Sequence, residues 1–200
     1  IERQGLPDDR CRLQFVYSHG DRVQHVLAPI SRHIVAGEGG PDLAVVEFER
    51  SPVAGFDVCQ PVTVQDELTL QVGDAVGLLG YPFGTNGLVQ DSPALPRLYR
   101  FGPVLQQGHI AAVAPFAEAN FVERLLLDVR SSVGMSGSPV FDPFSGTVIG
   151  IHDTGQGELT AYAIPLSQEM LKAICEIHDL AEPTERRYVF SNVVRRATRT

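Results

Sequence analysis

Short apolar runs, cut at intervals by glycine and proline, occupy most of this chain and leave little room for helix. With 19 glycines and 14 prolines in 200 residues, few windows are long enough to hold a 3.6-residue apolar period. The runs instead fit strands. Arg12–Tyr17 and Arg22–Leu27 flank a Ser-His-Gly-Asp turn and read as a hairpin. Asp42–Phe48, Ala75–Pro82, Val104–Val113, Val122–Val129, Ser138–Phe141, Gly146–Ile151 and Leu159–Ile164 follow as further strands. Between Phe83 and Pro96 the pattern is aperiodic and is expected to be a long surface loop. Helical spacing is found only near the end, where Met170, Leu171, Ile174 and Ile177 or His178 share a face behind a capping Ser167.

Regularly spaced strands closed by one helix predict an all-β protein, a sandwich or barrel, in two β half-domains. The division is expected as 1–62 for the first half-domain, 63–166 for the second, 167–182 for the helix and 183–200 for a basic tail. That tail, with Arg186, Arg187, Arg195, Arg196 and Arg199, reads as a solvated end or as a linker to a further fused domain. A net charge of -8 argues against a nucleic-acid partner, and no run is long enough for a membrane span. Cys11, Cys59 and Cys175 have neither metal-binding spacing nor the even number of a disulfide framework, so no metal and no cofactor are expected. Lys172 is the only lysine among many arginines, a bias associated with GC-rich bacterial genomes. A bacterial cytoplasm or periplasm fits, the former slightly better.

The stretch that carries chemistry is Val133-Gly134-Met135-Ser136-Gly137-Ser138-Pro139-Val140-Phe141. A serine between glycines fits a plain turn, but it also fits a nucleophile whose neighbouring amides must converge on an oxyanion. Three further segments favour the second reading. They are Asp42-Leu43-Ala44-Val45, Gly73-Asp74-Ala75-Val76 through Gly80-Tyr81-Pro82, and Gly146 through His152 leading on to Ala163-Ile164-Pro165. In this order they resemble the trypsin-like serine peptidases, particularly the bacterial HtrA/Deg-like branch. The resemblance runs over roughly Asp42 to Met170 and rests on four motifs, which makes it specific.

The resemblance implies two six-stranded-type β-barrels, with 1–62 the remainder of a truncated N-terminal barrel and 63–166 the C-terminal barrel, and a serine endopeptidase acting on protein or peptide substrates. It makes Ser136 the nucleophile, Asp42 the carboxylate that orients a histidine, and the amides of Gly134 and Ser136 the oxyanion hole. The histidine itself has no match. His19, His25, His33, His109, His152 and His178 all lack the family's alanine-preceded setting, and His33 is too close to Asp42. Ile1-Glu2 reads as the end of the missing motif, so the base is expected ahead of Ile1, and this chain alone is expected to be inactive. Met135 stands where digestive relatives carry an aspartate for a new N-terminal ammonium, so activation by an N-terminal cut is not expected. For the substrate pocket, Arg130, Gly150, Ile151 and His152 are candidates. A guanidinium at Arg130 would favour an acidic side chain before the scissile bond, although it also fits a solvated loop charge. The alternative function is an inactive peptidase fold kept for binding a peptide or partner. An α/β-hydrolase is excluded, because Ser138-Pro139-Val140-Phe141 after the serine is poor helix.

Overall fold

In the computed structural model the described residues are 12–19, 22–35, 42–48, 61–82, 87–89, 97–99, 103–114, 123–156 and 160–180. The chain divides into two compact units, residues 1–36 with 43–61 and residues 37–42 with 62–200. The predicted basic tail, Cys11, Cys59 and the Ile1 terminus lie outside the described residues.

The first unit holds an antiparallel sheet in the order β1(Arg12–His19), β2(Arg22–Val35), β3(Ala44–Phe48). The first pair is the expected hairpin, with His19 opposite Arg22. β2 continues well past the predicted end at Leu27 and pairs with β3 from Ile30–Phe48 to Val35–Ala44. Ala28 and Ile34 are buried in it, and Arg32 pairs with Glu47 of β3 at 3.7 Å.

The second unit is built on β4(Ala75–Gly80), β7(Val104–Ala114), β8(Arg124–Leu127), β9(Pro139–Phe141), β10(Val148–Gln156) and β11(Thr160–Pro165). They close a six-stranded barrel in the order β10-β11-β8-β7-β4-β9. Closure follows from the period-two pattern, because alternate side chains turn inward and meet. Val76 and Leu78, Ile110, Leu125 and Leu127, Val140, Ile149, and Ala161 with Ala163 fill the interior, joined by Val129 and Met135 from the loop after β8. Alanines on β11 opposite leucines on β8 keep the summed volume within what a small barrel holds.

β5(Gly87–Val89), within the stretch expected as loop, pairs with β6(Arg97–Tyr99) just beyond it. Three-residue arms are too short to show a period, which is why the sequence pattern missed them. The helix α1(Gln168–Leu180) begins where predicted. The Ser167 hydroxyl accepts the Met170 amide at 3.1 Å, and Met170 and Ile174 are buried. Gln65, in the segment that enters the barrel, ties this corner together. Its side chain donates to the carbonyl of Leu166 at 3.0 Å, while its own carbonyl accepts the Gln168 amide at 2.8 Å. Among the described residues no helix is long and apolar enough to cross a membrane.

Truncating an interior leucine should therefore cost far more than truncating an exterior one. Leu127→Ala (fully buried) is expected to lose about 2–5 kcal/mol. Leu105→Ala, 56% exposed, should stay within about 0.5 kcal/mol, both read from urea midpoints at constant m-value.

Candidate active site

The segment around Ser136 is two reverse turns in succession. The Met135 amide donates to the Ser132 carbonyl at 3.1 Å, and the Ser138 amide donates to the Met135 carbonyl at 3.0 Å. Gly134 and Gly137 occupy the third position of each turn with φ of +93° and +87°. No non-glycine residue has positive φ among the described residues, so both turns are type II, the kind that needs a left-handed residue only at that position. In this geometry the central peptide is flipped relative to a type I turn, which reverses the amides of Gly134 and Gly137. Val133 and Ser136 stand at the two corners and are exposed, Val133 at 95%. Met135, shared by both turns, is fully buried in the barrel core.

Two elements hold this double turn. β10 grips its far side: Gly137 donates to the His152 carbonyl and His152 donates back to the Ser138 carbonyl, both at 2.8 Å. The end of β4 supports the near side. A Cβ on Gly134 would meet the carbonyl oxygens of Pro82 and Tyr81 at 3.0 and 3.2 Å. The Gln106 amide reaches the Met135 sulfur at 3.7 Å. An aspartate at 135 would meet this apolar setting with no cation, so methionine suits the position by burial.

The Ser136 hydroxyl donates to the Asp153 carbonyl at 2.7 Å. Asp153 is the extra residue of a β-bulge, since His152 pairs with Ala163 and Thr154 with Tyr162. Bulges re-aim a strand beside functional sites. Here the bulge turns one carbonyl to the serine, while the Asp153 carboxylate, 13% exposed, is held by Arg124 at 2.6 Å. Next to it, His152 is 1% exposed, and its Nε2 lies 2.9 Å from the Ser131 hydroxyl. Burial pushes the His152 pKa below the ordinary histidine value. The Asp153 charge and the Met135 carbonyl oppose that shift without overcoming it.

Of the residues singled out from sequence, Ser136, Gly134 and His152 gather within this one loop-and-strand unit. Gly150 packs toward β11, where a Cβ would sit 2.8 Å from the Ile164 carbonyl, and Ile151 is half-buried in the ladder between Pro139 and Ile164. Arg130 is exposed, and so is Asp42, which stands immediately ahead of buried Leu43 and β3. Ser131 and Asp153 were missed. Ser131 is one of two adjacent serines with nothing to distinguish it, and Asp153 depends on a bulge that sequence periodicity does not show. Among the described residues no three His, Cys, Asp or Glu side chains gather to hold a metal ion.

The profile of the trypsin-like peptidase domain matches residues 7–151. The chain belongs to that family. Solved structures share the fold at low identity. Rv3671c from M. tuberculosis H37Rv, in an inactive mutant form, is 16% identical with a TM-score of 0.51, covering 84% of this chain and 71% of that one. Human heparin binding protein, as a point mutant, is 16% identical with a TM-score of 0.50, covering 80% and 71%. Deg5 is 19% identical at a TM-score of 0.48, and the match covers 77% of this chain and 62% of Deg5. Comparison with curated protein sequences gives no match. The trypsin-like fold expected from the four motifs is thus the fold of the chain.

Two outcomes follow for this peptidase domain. Gly134→Ala meets both a left-handed φ and the Tyr81–Pro82 carbonyls, whereas Gly137→Ala has nothing within 4 Å and meets only the φ. Gly137→Ala should cost about 1–2 kcal/mol and Gly134→Ala clearly more, measured by urea unfolding. For His152 the unfolded chain accepts a proton that the fold resists. Its contribution is therefore complete above the unfolded pKa of about 6.5 and is lost as pH falls below it. Melting curves from about pH 7.5 to about pH 5.5 should show a smaller drop for His152→Asn than for the parent chain.

Proposed function

We propose that the domain is the serine-bearing part of an endopeptidase, cleaving peptide bonds through an acyl-enzyme on Ser136. What supports this most is the double type II turn. It sets an exposed hydroxyl at a corner, with the Gly137 amide bonded to the His152 carbonyl of β10 and Gly134 close against the Tyr81 and Pro82 carbonyls. The Ser136 oxygen attacks the scissile carbonyl carbon and gives its proton to a base. The amides of Gly134 and Ser136 take the oxyanion, which then collapses and expels the amine with that proton. Water releases the acid in a second, mirrored round. Asp42 is the carboxylate that orients the base.

The edge of β10 supports a peptide as substrate. Its ladder to β9 ends at Ile151–Pro139, yet the strand runs on to Gln156. Among the described residues no strand covers Thr154–Gln156 on that side, and an extended chain can add there by main-chain hydrogen bonds.

The test is a fluorophosphonate probe on the chain extended upstream of Ile1, beside the 200-residue chain. Labelling that maps to Ser136 and disappears in Ser136→Ala is expected, with peptide turnover in that variant reduced by about 10⁴ or more. A folded, extended protein that takes no label sinks the enzymatic reading and leaves a peptidase fold used for binding.

A further inference from the structure

A strand residue is normally oriented by its ladder partners, and among the described residues Asp153 has none. The ladder from β10 to β9 ends at Ile151, and the ladder to β11 passes from His152 to Thr154. The bulge leaves the Asp153 peptide outside the pairing that fixes the rest of the strand. Yet its carbonyl is the one that accepts the Ser136 hydroxyl at 2.7 Å. Something other than the sheet has to aim it.

The ion pair with Arg124 is placed to do so. The guanidinium lies 2.6 Å from the Asp153 carboxylate, whose side chain is 13% exposed against 46% for the arginine. β11 stands between β8 and β10 in the barrel, so the contact reaches across a whole strand. Its fixed end is firm. Arg124 is paired with Ala114 of β7, and the neighbouring Glu123 amide donates to the Ala114 carbonyl at 2.7 Å. The carboxylate and the carbonyl of Asp153 belong to one residue, so anchoring the first restrains the second.

We propose that Arg124 is a positioning residue for Ser136, acting through Asp153 as a one-residue lever. The anchored carboxylate keeps the bulge turned with its carbonyl toward the loop, and that carbonyl holds the Ser136 side chain in one rotamer. Without the guanidinium, a nearly buried carboxylate is stranded, which is costlier than losing both partners. It draws toward water, and the bulge backbone, with no ladder bond to resist, turns with it. The two backbone bonds between β10 and the double turn, from the Gly137 amide and to the Ser138 carbonyl, are made by His152 and not by Asp153. The lever therefore changes where the hydroxyl points while the turn stays folded. Its effect on catalysis rests on the peptidase reading of Ser136; its effect on the serine rotamer does not.

The first test needs no turnover. In the 200-residue chain, the Hα–Hβ couplings of Ser136 in NMR should report a single rotamer. Arg124→Gln should average them and Arg124→Lys should restore them, while the Gly137 and His152 amides keep their exchange protection in both variants. Averaged couplings in the parent chain, or a single rotamer in folded Arg124→Gln, overturn the proposal. So does averaging that comes with lost protection at Gly137 and His152, because that is local unfolding.

The second test uses the upstream-extended enzyme and a peptide substrate. Arg124→Gln should lower kcat about tenfold with KM changed by less than about twofold. Adding Asp153→Asn removes the stranded charge and should recover about threefold or more of that loss. Single effects that simply multiply in the double variant, or a raised KM with kcat intact, overturn the lever. If the extended protein takes no label at Ser136, the peptidase reading fails, and the rotamer measurement alone decides the role of Arg124.

Discussion

The site depends on the burial of Met135. A serine that stands out from a loop is of little chemical use unless the backbone on both sides is fixed. Here a single apolar side chain does most of the fixing. Met135 is the last residue of one type II turn and the first of the next, so placing it in the barrel core sets both turns together. The glycines on either side take the left-handed conformations that two successive turns demand. Removing that anchor would release the corner that carries Ser136 and the amides beside it.

The same dependence explains why motifs far apart in sequence belong to one structure. Gly80-Tyr81-Pro82 ends β4 directly beneath the nucleophile loop. Gly80 lacks a side chain because Ser138 and the Met135 methyl are there, and the Tyr81 and Pro82 carbonyls face Gly134. Four residues of the nine in β10 serve this site. Ile149 packs the core, His152 binds the turn by its backbone and Ser131 by its ring, the Asp153 carbonyl accepts from Ser136, and Gly155 makes room for Ser131. Changes along this strand should therefore be coupled rather than additive.

How much of this was legible in sequence follows from how local each cause is. Strands showed through alternation, and the terminal helix through its 3.6 period and the Ser167 cap, because those signals lie within a few residues. The nucleophile segment was legible because positive φ nearly requires glycine. The β5–β6 pair was not, because its arms are three residues long. The Ser131–His152 contact was not either. It joins residues 21 apart through a strand register with a bulge in it, and one inserted residue changes which side chain faces which neighbour. The two remaining candidates, Arg130 and Asp42, are exposed side chains, and surface position is what local patterning specifies least.

Methionine at 135 also bears on how such a loop becomes competent. An aspartate at this place would bring a charge into the core, and the loop could settle only once a cation arrived to pair with it. A buried thioether needs no such partner. Apolar burial and a weak contact from the Gln106 amide suffice, and both exist as soon as the barrel closes. The turn geometry therefore needs no ion pair beyond what the folded barrel supplies. What the loop does not supply for itself is a partner for the Ser136 proton. That hydroxyl rests against the Asp153 carbonyl, an acceptor with no capacity to take the proton. The barrel thus fixes the exposed Ser136 hydroxyl and the backbone beside it, and the proposed catalysis turns on what meets that hydroxyl.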